Sequence, residues 1–110
     1  MMEIRIYEEE NGNKPYLKWL ADIDRHARNK VLIAISRLKD GNTSNVKSIG
    51  NGVSEVKITF GAGFRVYFGY ENSEIVILLG GGTKKRQDKD IKIAKSLWKK
   101  YQEDQENGNN

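Results

Sequence analysis

The stretch Val53 to Lys85, VSEVKITFGAGFRVYFGYENSEIVILLGGGTKK, constrains the fold more than any other part of the chain and predicts three consecutive strands. The first two are joined at Gly61-Ala62-Gly63, a short glycine-containing connection that signals a hairpin. Pairing Phe60 with Phe64 across that turn sets Ile58 opposite Val66 and Val56 opposite Phe68. These six residues form one apolar face. Because strand side chains alternate, the other face carries Glu55, Lys57 and Thr59 opposite Gly69, Tyr67 and Arg65. A carboxylate, an amine, a phenol and a guanidinium thus share one side of a hairpin, and this constellation is the candidate site. The third strand, Ile75 to Leu79, is continuously apolar, as expected for a central strand covered on both faces. Gly80-Gly81-Gly82 follows it, either to let a backbone or ligand approach closely or as a flexible exit from the sheet.

The flanking segments complete an α+β pattern. Glu3 to Tyr7 alternates and predicts a short strand, ended by the Asn11-Gly12-Asn13 turn. A helix is expected from about Lys14, with Pro15 in its first turn and Tyr16, Leu17, Leu20 and Ile23 at helical spacing. Asp24 is a natural N-cap for a second helix reaching about Asp40, with the stripe Ala27, Val31, Ala34, Ile35 and Leu38 and with Gly41 as its stop. Gly41 to Gly52 reads as one long surface loop. A third helix is expected from Gln87 to about Tyr101, its stripe being Ile91, Ala94, Leu97, Trp98 and Tyr101. The order is β-α-α-β-β-β-α, a mainly antiparallel sheet with helices packed on one face. Residues 1–101 form a single domain in this reading, and the polar segment 102–110 is expected to be disordered.

Composition narrows the function. With 110 residues and no cysteine, the chain has room for one core and has no thiol chemistry. The start MMEIRIYEEE lacks a basic and an apolar signal region, and no apolar run approaches the ~18 residues of a membrane span. A soluble, cytoplasmic protein with no membrane partner is expected. One histidine, His26, and scattered carboxylates show no metal-ligand spacing, so neither a metal nor another cofactor is expected. The net charge is +4, yet Lys84 to Lys100 alone holds eight basic residues against Asp88 and Asp90. Clustering of that kind suits a polyanion, although a solvated helix face would also produce it.

With the Val56/Ile58/Phe60 face covered by helices, the Lys57/Arg65/Tyr67 face would lie open, a cationic and aromatic surface suited to single-stranded nucleic acid. Arg65 would bind a phosphate bidentately, the alternatives being a bond to Thr59 or an ion pair with Glu55. Lys84 and Lys85 would add positive charge, or be an exposed loop pair. Tyr67 would stack or transfer a proton, or simply pack. Glu55 would act as a general base, or as a partner for a cation. Lys57, Arg86, Lys89, Lys92 and Lys95 complete the candidate RNA-binding set. RNA carries its own nucleophile, the 2′-hydroxyl, so its cleavage needs positioning and charge stabilisation more than a metal.

The sequence resembles the RelE/ParE superfamily of type II toxin-antitoxin toxins, in particular its HigB-like branch of phage-derived or addiction-module killer proteins. The resemblance is carried by the Trp19-Leu20 helix, Arg37-Leu38-x-x-Gly41-Asn42, Gly52-Val53-x-Glu55-Val56-Lys57-Ile58, Gly61-x-Gly63-Phe64-Arg65-Val66-Tyr67-Phe68 and Leu78-Leu79-x-Gly81-Gly82-x-Lys84-Lys85-x-Gln87-x-x-Asp90-Ile91-x-x-Ala94. It implies a RelE-like fold and an mRNA interferase that cuts translated messages in the ribosomal A site. It also implies a cognate antitoxin, commonly a helix-turn-helix protein of the HigA-like kind, through which the pair would contact operator DNA. Arg65 would then match the family's transition-state arginine, Lys84 and Lys85 its basic pair, and Lys57 its strand lysine. The ParE branch shares the fold but inhibits DNA gyrase, so a non-catalytic gyrase inhibitor or RNA-binding module is the alternative.

Overall fold

The structure, a computed structural model, describes residues 1–108. Strands β1 (Glu3–Ile6), β2 (Val46–Gly50), β3 (Val53–Ile58), β4 (Phe64–Glu71) and β5 (Ile75–Thr83) form one sheet in the order β1-β5-β4-β3-β2. Only β1 and β5 run parallel; every other neighbouring pair is antiparallel. Three helices complete the α+β fold: α1 (Pro15–Asp22), α2 (Arg25–Lys39) and α3 (Gln87–Gly108).

The helix ends follow from the sequence. Asp24 caps α2 by accepting from the backbone N–H of His26 and Ala27. At the other end Gly41, with φ +91°, and Asn42 donate to the carbonyls of Leu38 and Arg37, the paired closure that a left-handed glycine allows. Tyr16 and Leu20 of α1 and Val31 and Leu38 of α2 are buried against Val56, Ile58, Val66, Phe68, Val76 and Leu78 on one face of the sheet. Arg28 ties the two helices together, donating to the carbonyls of Leu20, Ala21 and Ile23.

Four expectations change. First, α3 packs on the opposite face, where Ala94 and Trp98 lie against Val53, Tyr67, Ile77 and Leu79, so the helices occupy both faces. Its stripe had to be buried somewhere, and Gly69 leaves the space: a Cβ there would lie 2.5 Å from the Trp98 ring. Second, the hairpin register moves by two residues. Ile58 pairs with Phe64, Val56 with Val66, Lys57 with Arg65 and Glu55 with Tyr67. Thr59 and Phe60 belong to the turn, which Gly63 N–H closes onto the Phe60 carbonyl with Gly61 and Gly63 at positive φ. A shift of two preserves the faces, so the division into apolar and polar sides survives.

Third, the segment read as a single loop contains β2. Its apolar residues serve different faces, Val46 the α1/α2 side and Ile49 the α3 side, so the strand has no alternating signature. Fourth, α3 continues through Gly108, making residues 102–108 helical; the last two residues of the expected disordered tail lie outside the described ones. Gly80-Gly81-Gly82 is not a flexible exit either but the far half of β5, beyond an irregularity that leaves Leu79 unpaired between Leu78↔Phe68 and Gly80↔Tyr67.

Candidate functional site

Glu55 and Arg65 sit on neighbouring central strands, diagonal to one another on the face that α3 covers. Arg65 Nε donates to Glu55 Oε2 at 2.9 Å, and the two residues are 7% and 5% exposed. Of the alternatives open for Arg65, the ion pair with Glu55 is therefore the one formed. Thr59 lies outside the ladder. The carboxylate that was a candidate base is engaged by a buried guanidinium, and water has been largely removed from both.

Tyr67 is 1% exposed and is held under Ala94 and Trp98 of α3. Burial pushes its phenol up to about 12, the carboxylates Glu55 and Asp90 push in the same direction, and Arg65 opposes them. It presents no ring face for stacking. Its hydroxyl is buried and lacks a hydrogen-bond partner among the described residues, an arrangement that costs about 1–3 kcal/mol. Tyr67→Phe is accordingly expected to raise the free energy of unfolding by about 1 kcal/mol, measured by urea denaturation.

The remaining candidates are at the surface. Lys84, Lys85 and Arg86 are exposed in a tight helical turn between β5 and α3. Lys84 N–H reaches the Gly63 carbonyl at 3.4 Å, tying this turn to the β3–β4 hairpin, and Gly82 two residues earlier pairs with Arg65. Lys89 and Lys92 are exposed on the first turns of α3, one helical step apart. These five cations therefore form a continuous rim at one end of the sheet. Lys95 diverges from them, being half-buried with Nζ 3.4 Å from where a Cβ on Gly50 would lie. Lys57 is exposed on β3, beside Arg65.

Asp90 was counted from sequence only as an offset to the basic run, yet it has a specific seat. A Cβ on Gly82 would collide with its Oδ2, so the glycine makes room for the carboxylate. Burial raises the Asp90 carboxyl above its ordinary range, with Arg86 and Lys89 acting in the opposite direction. On the other face Gly81 makes room for the Trp19 indole, whose ring would lie 2.4 Å from a Cβ. Between them is a cleft of ≈ 130 Å³ lined by Trp19, Tyr67, Gly80, Asp90, Ile93 and Leu97, among others. The glycine run was the sequence signal for this close approach. What approaches are two side chains of the same chain.

Among the described residues, no group of three His, Cys, Asp or Glu is placed to hold a metal ion, and His26 is exposed at the start of α2. No helix of the described residues is long and apolar enough to cross a membrane.

Comparison with known proteins adds two similarities. The family described as phage derived protein Gp49-like (DUF891) matches residues 18–99. An uncharacterized protein of Haemophilus influenzae is 45% identical over 80 residues, covering 72% of this chain and 81% of that protein. The matched residues contain α2, all of β2 to β5 and the cationic rim.

Proposed function

We propose, from the premise that the chain belongs to the Gp49-like family of phage-derived, toxin-like proteins, that it is the toxin of a type II toxin-antitoxin pair and cuts translated mRNA at the ribosomal A site. The observation that carries the RNA reading is the exposed rim Lys84, Lys85, Arg86, Lys89 and Lys92, anchored to the hairpin beside Arg65. Such a rim tracks a phosphate backbone without regard to sequence. In the reaction, the 2′-oxygen loses its proton and bonds to the adjacent phosphorus. The bond to the 5′-oxygen then breaks, that oxygen takes up a proton, and the products end in a 2′,3′-cyclic phosphate and a 5′-hydroxyl.

The cations stabilise the charge that develops on the phosphoryl oxygens. Lys84 and Lys85, exposed at the rim, carry this role most directly. Glu55, held by Arg65, serves the site by fixing that guanidinium in place. The cognate antitoxin is proposed to be a helix-turn-helix protein of the HigA-like kind, which contacts operator DNA on behalf of the pair.

Expression without antitoxin should stop growth and leave mRNA fragments with 5′-hydroxyl ends. Each charged contact contributes about 1.5 kcal/mol or more, so a Lys84→Ala, Lys85→Ala variant is expected to cut at least about 100-fold more slowly. Both side chains are exposed, and the variant should unfold at the wild-type temperature. Undiminished cutting by that folded variant would remove Lys84 and Lys85 from the site. The burial of Glu55 and Tyr67, which leaves no ordinary acid-base pair at the surface, favours a second reading as a non-catalytic module such as a gyrase inhibitor. Trapped gyrase cleavage complexes alongside intact mRNA would select it.

A further inference from the structure

We infer that the cleft between Trp19, Gly80, Tyr67 and Asp90 receives a single nucleobase, a pyrimidine of the uracil type, from the RNA bound along the cationic rim. This inference rests on the RNA reading above and extends it by naming what gives the site a base preference.

Size comes first. A cavity of about 150 Å³ accommodates one benzene ring, and this cleft measures ≈ 130 Å³ while remaining open to solvent on one side. It admits one six-membered ring and excludes a sugar-phosphate chain. Its walls suit a flat ring: the Trp19 indole lies against the Gly81 backbone, and nothing stands within 4 Å of where a Cβ on Gly80 would be. Aromatic faces of this kind are where splayed-out bases are held.

The polar groups then choose the occupant. Tyr67 lines the cleft with a hydroxyl that has no partner, and Asp90 lines it with a carboxylate, close enough for each charge to be felt by the other. A hydroxyl that donates beside a carboxylate that accepts is complemented by a ring edge with a carbonyl next to an N–H. Uracil has that edge. Guanine has it too but carries a second ring, and cytosine has a ring nitrogen acceptor beside an amino group. An apolar side chain from a protein partner would leave both polar groups buried and unpaired, and Asp90 would repel a phosphate. Arg86 and Lys89, whose charges act on Asp90, belong to the rim that would hold the backbone attached to the base. At about 3.3 Å per residue along a strand, Lys84 lies about 10 Å beyond Gly81.

The test uses the full chain and titrates it with uridine, cytidine and adenosine, following tryptophan fluorescence, while cut sites in mRNA are mapped in parallel. Uridine should give a saturable change and the other two a weaker one, and the cut sites should favour uridine at one fixed position. Gly80→Val fills the cleft without meeting another atom; it should weaken uridine at least about 10-fold and erase that positional preference. Asp90→Asn, which adds a donor, should move the preference toward cytidine. If RNA is cut but no nucleoside saturates and Gly80→Val leaves the pattern of cuts unchanged, the base pocket is wrong and the nuclease stands. If uridine saturates but no RNA is cut, the nuclease reading fails and the pocket stands. Protection of Trp19 by the antitoxin, with no response to any nucleoside, would assign the cleft to a protein and overturn the inference.

Discussion

Arg65→Ala is expected to lower the free energy of unfolding by about 3–5 kcal/mol, from a total of about 5–15 kcal/mol for a domain of this kind. The substitution leaves Glu55 as an unpaired carboxylate under α3, 5% exposed, where its only hydrogen-bonded partner among the described residues was Arg65. The joint variant Arg65→Met, Glu55→Leu removes both charges and should recover most of the loss, because the low-dielectric interior penalises a lone charge far more than its absence. Equilibrium urea denaturation of the three proteins decides this; equal stability of the single and joint variants would contradict it. The consequence for function is practical. Loss of toxicity in Arg65→Ala reports folding unless stability is measured beside it, whereas the joint variant separates the guanidinium's chemistry from its structural part.

Trp98→Ala should be about as damaging, at about 3–5 kcal/mol. The indole fills the space above two glycines: a Cβ on Gly69 would lie 2.5 Å from its ring, and one on Gly52 2.7 Å from its Nε1. It also stacks on Tyr101, with centroids 5.3 Å apart and planes 10° apart. Tyr101 in turn donates to Glu71 Oε2 at 3.0 Å, so the seat of Trp98 couples α3 to β3 and β4. Because the neighbouring glycines cannot move inward to fill the void, little relaxation is available. A drop of less than about 2 kcal/mol in the same denaturation experiment would mean that α3 re-seats without its anchor.

What could be read from the chain divides along physical lines. The α2 boundaries were legible because Asp24 and Gly41 act locally, through hydrogen bonds that span a few residues. The division of Glu55, Lys57, Arg65 and Tyr67 from Val56, Ile58, Val66 and Phe68 was legible because parity along a strand survives an error of two in register. The fate of the polar face was not. Whether it meets water depends on which side of the sheet α3 takes, and that is decided by distant glycines, Gly52 and Gly69, making room for Trp98. The pairing of Arg65 with Glu55 was foreseen as an alternative, but choosing it required knowing that the face is covered. Asp90 and Trp19 were missed as neighbours because a glycine does not announce which side chain will occupy the space it leaves.

The unpaired Leu79 has an effect on counting that reaches beyond its own position. Before it, odd-numbered residues of β5, Ile77 and Leu79 itself, look toward α3, and even-numbered ones, Val76 and Leu78, look toward α1 and α2. After it the assignment is exchanged: Gly81 looks to Trp19 of α1, and Gly82 to Asp90 of α3. The strand thus changes phase once, like a sentence whose reading frame slips by one letter, and only the second frame seats the indole and the carboxylate on glycines. Deleting a single residue here would restore a regular ladder and transpose the two seats. In this strand, keeping the irregularity is what keeps the two halves of the molecule in step.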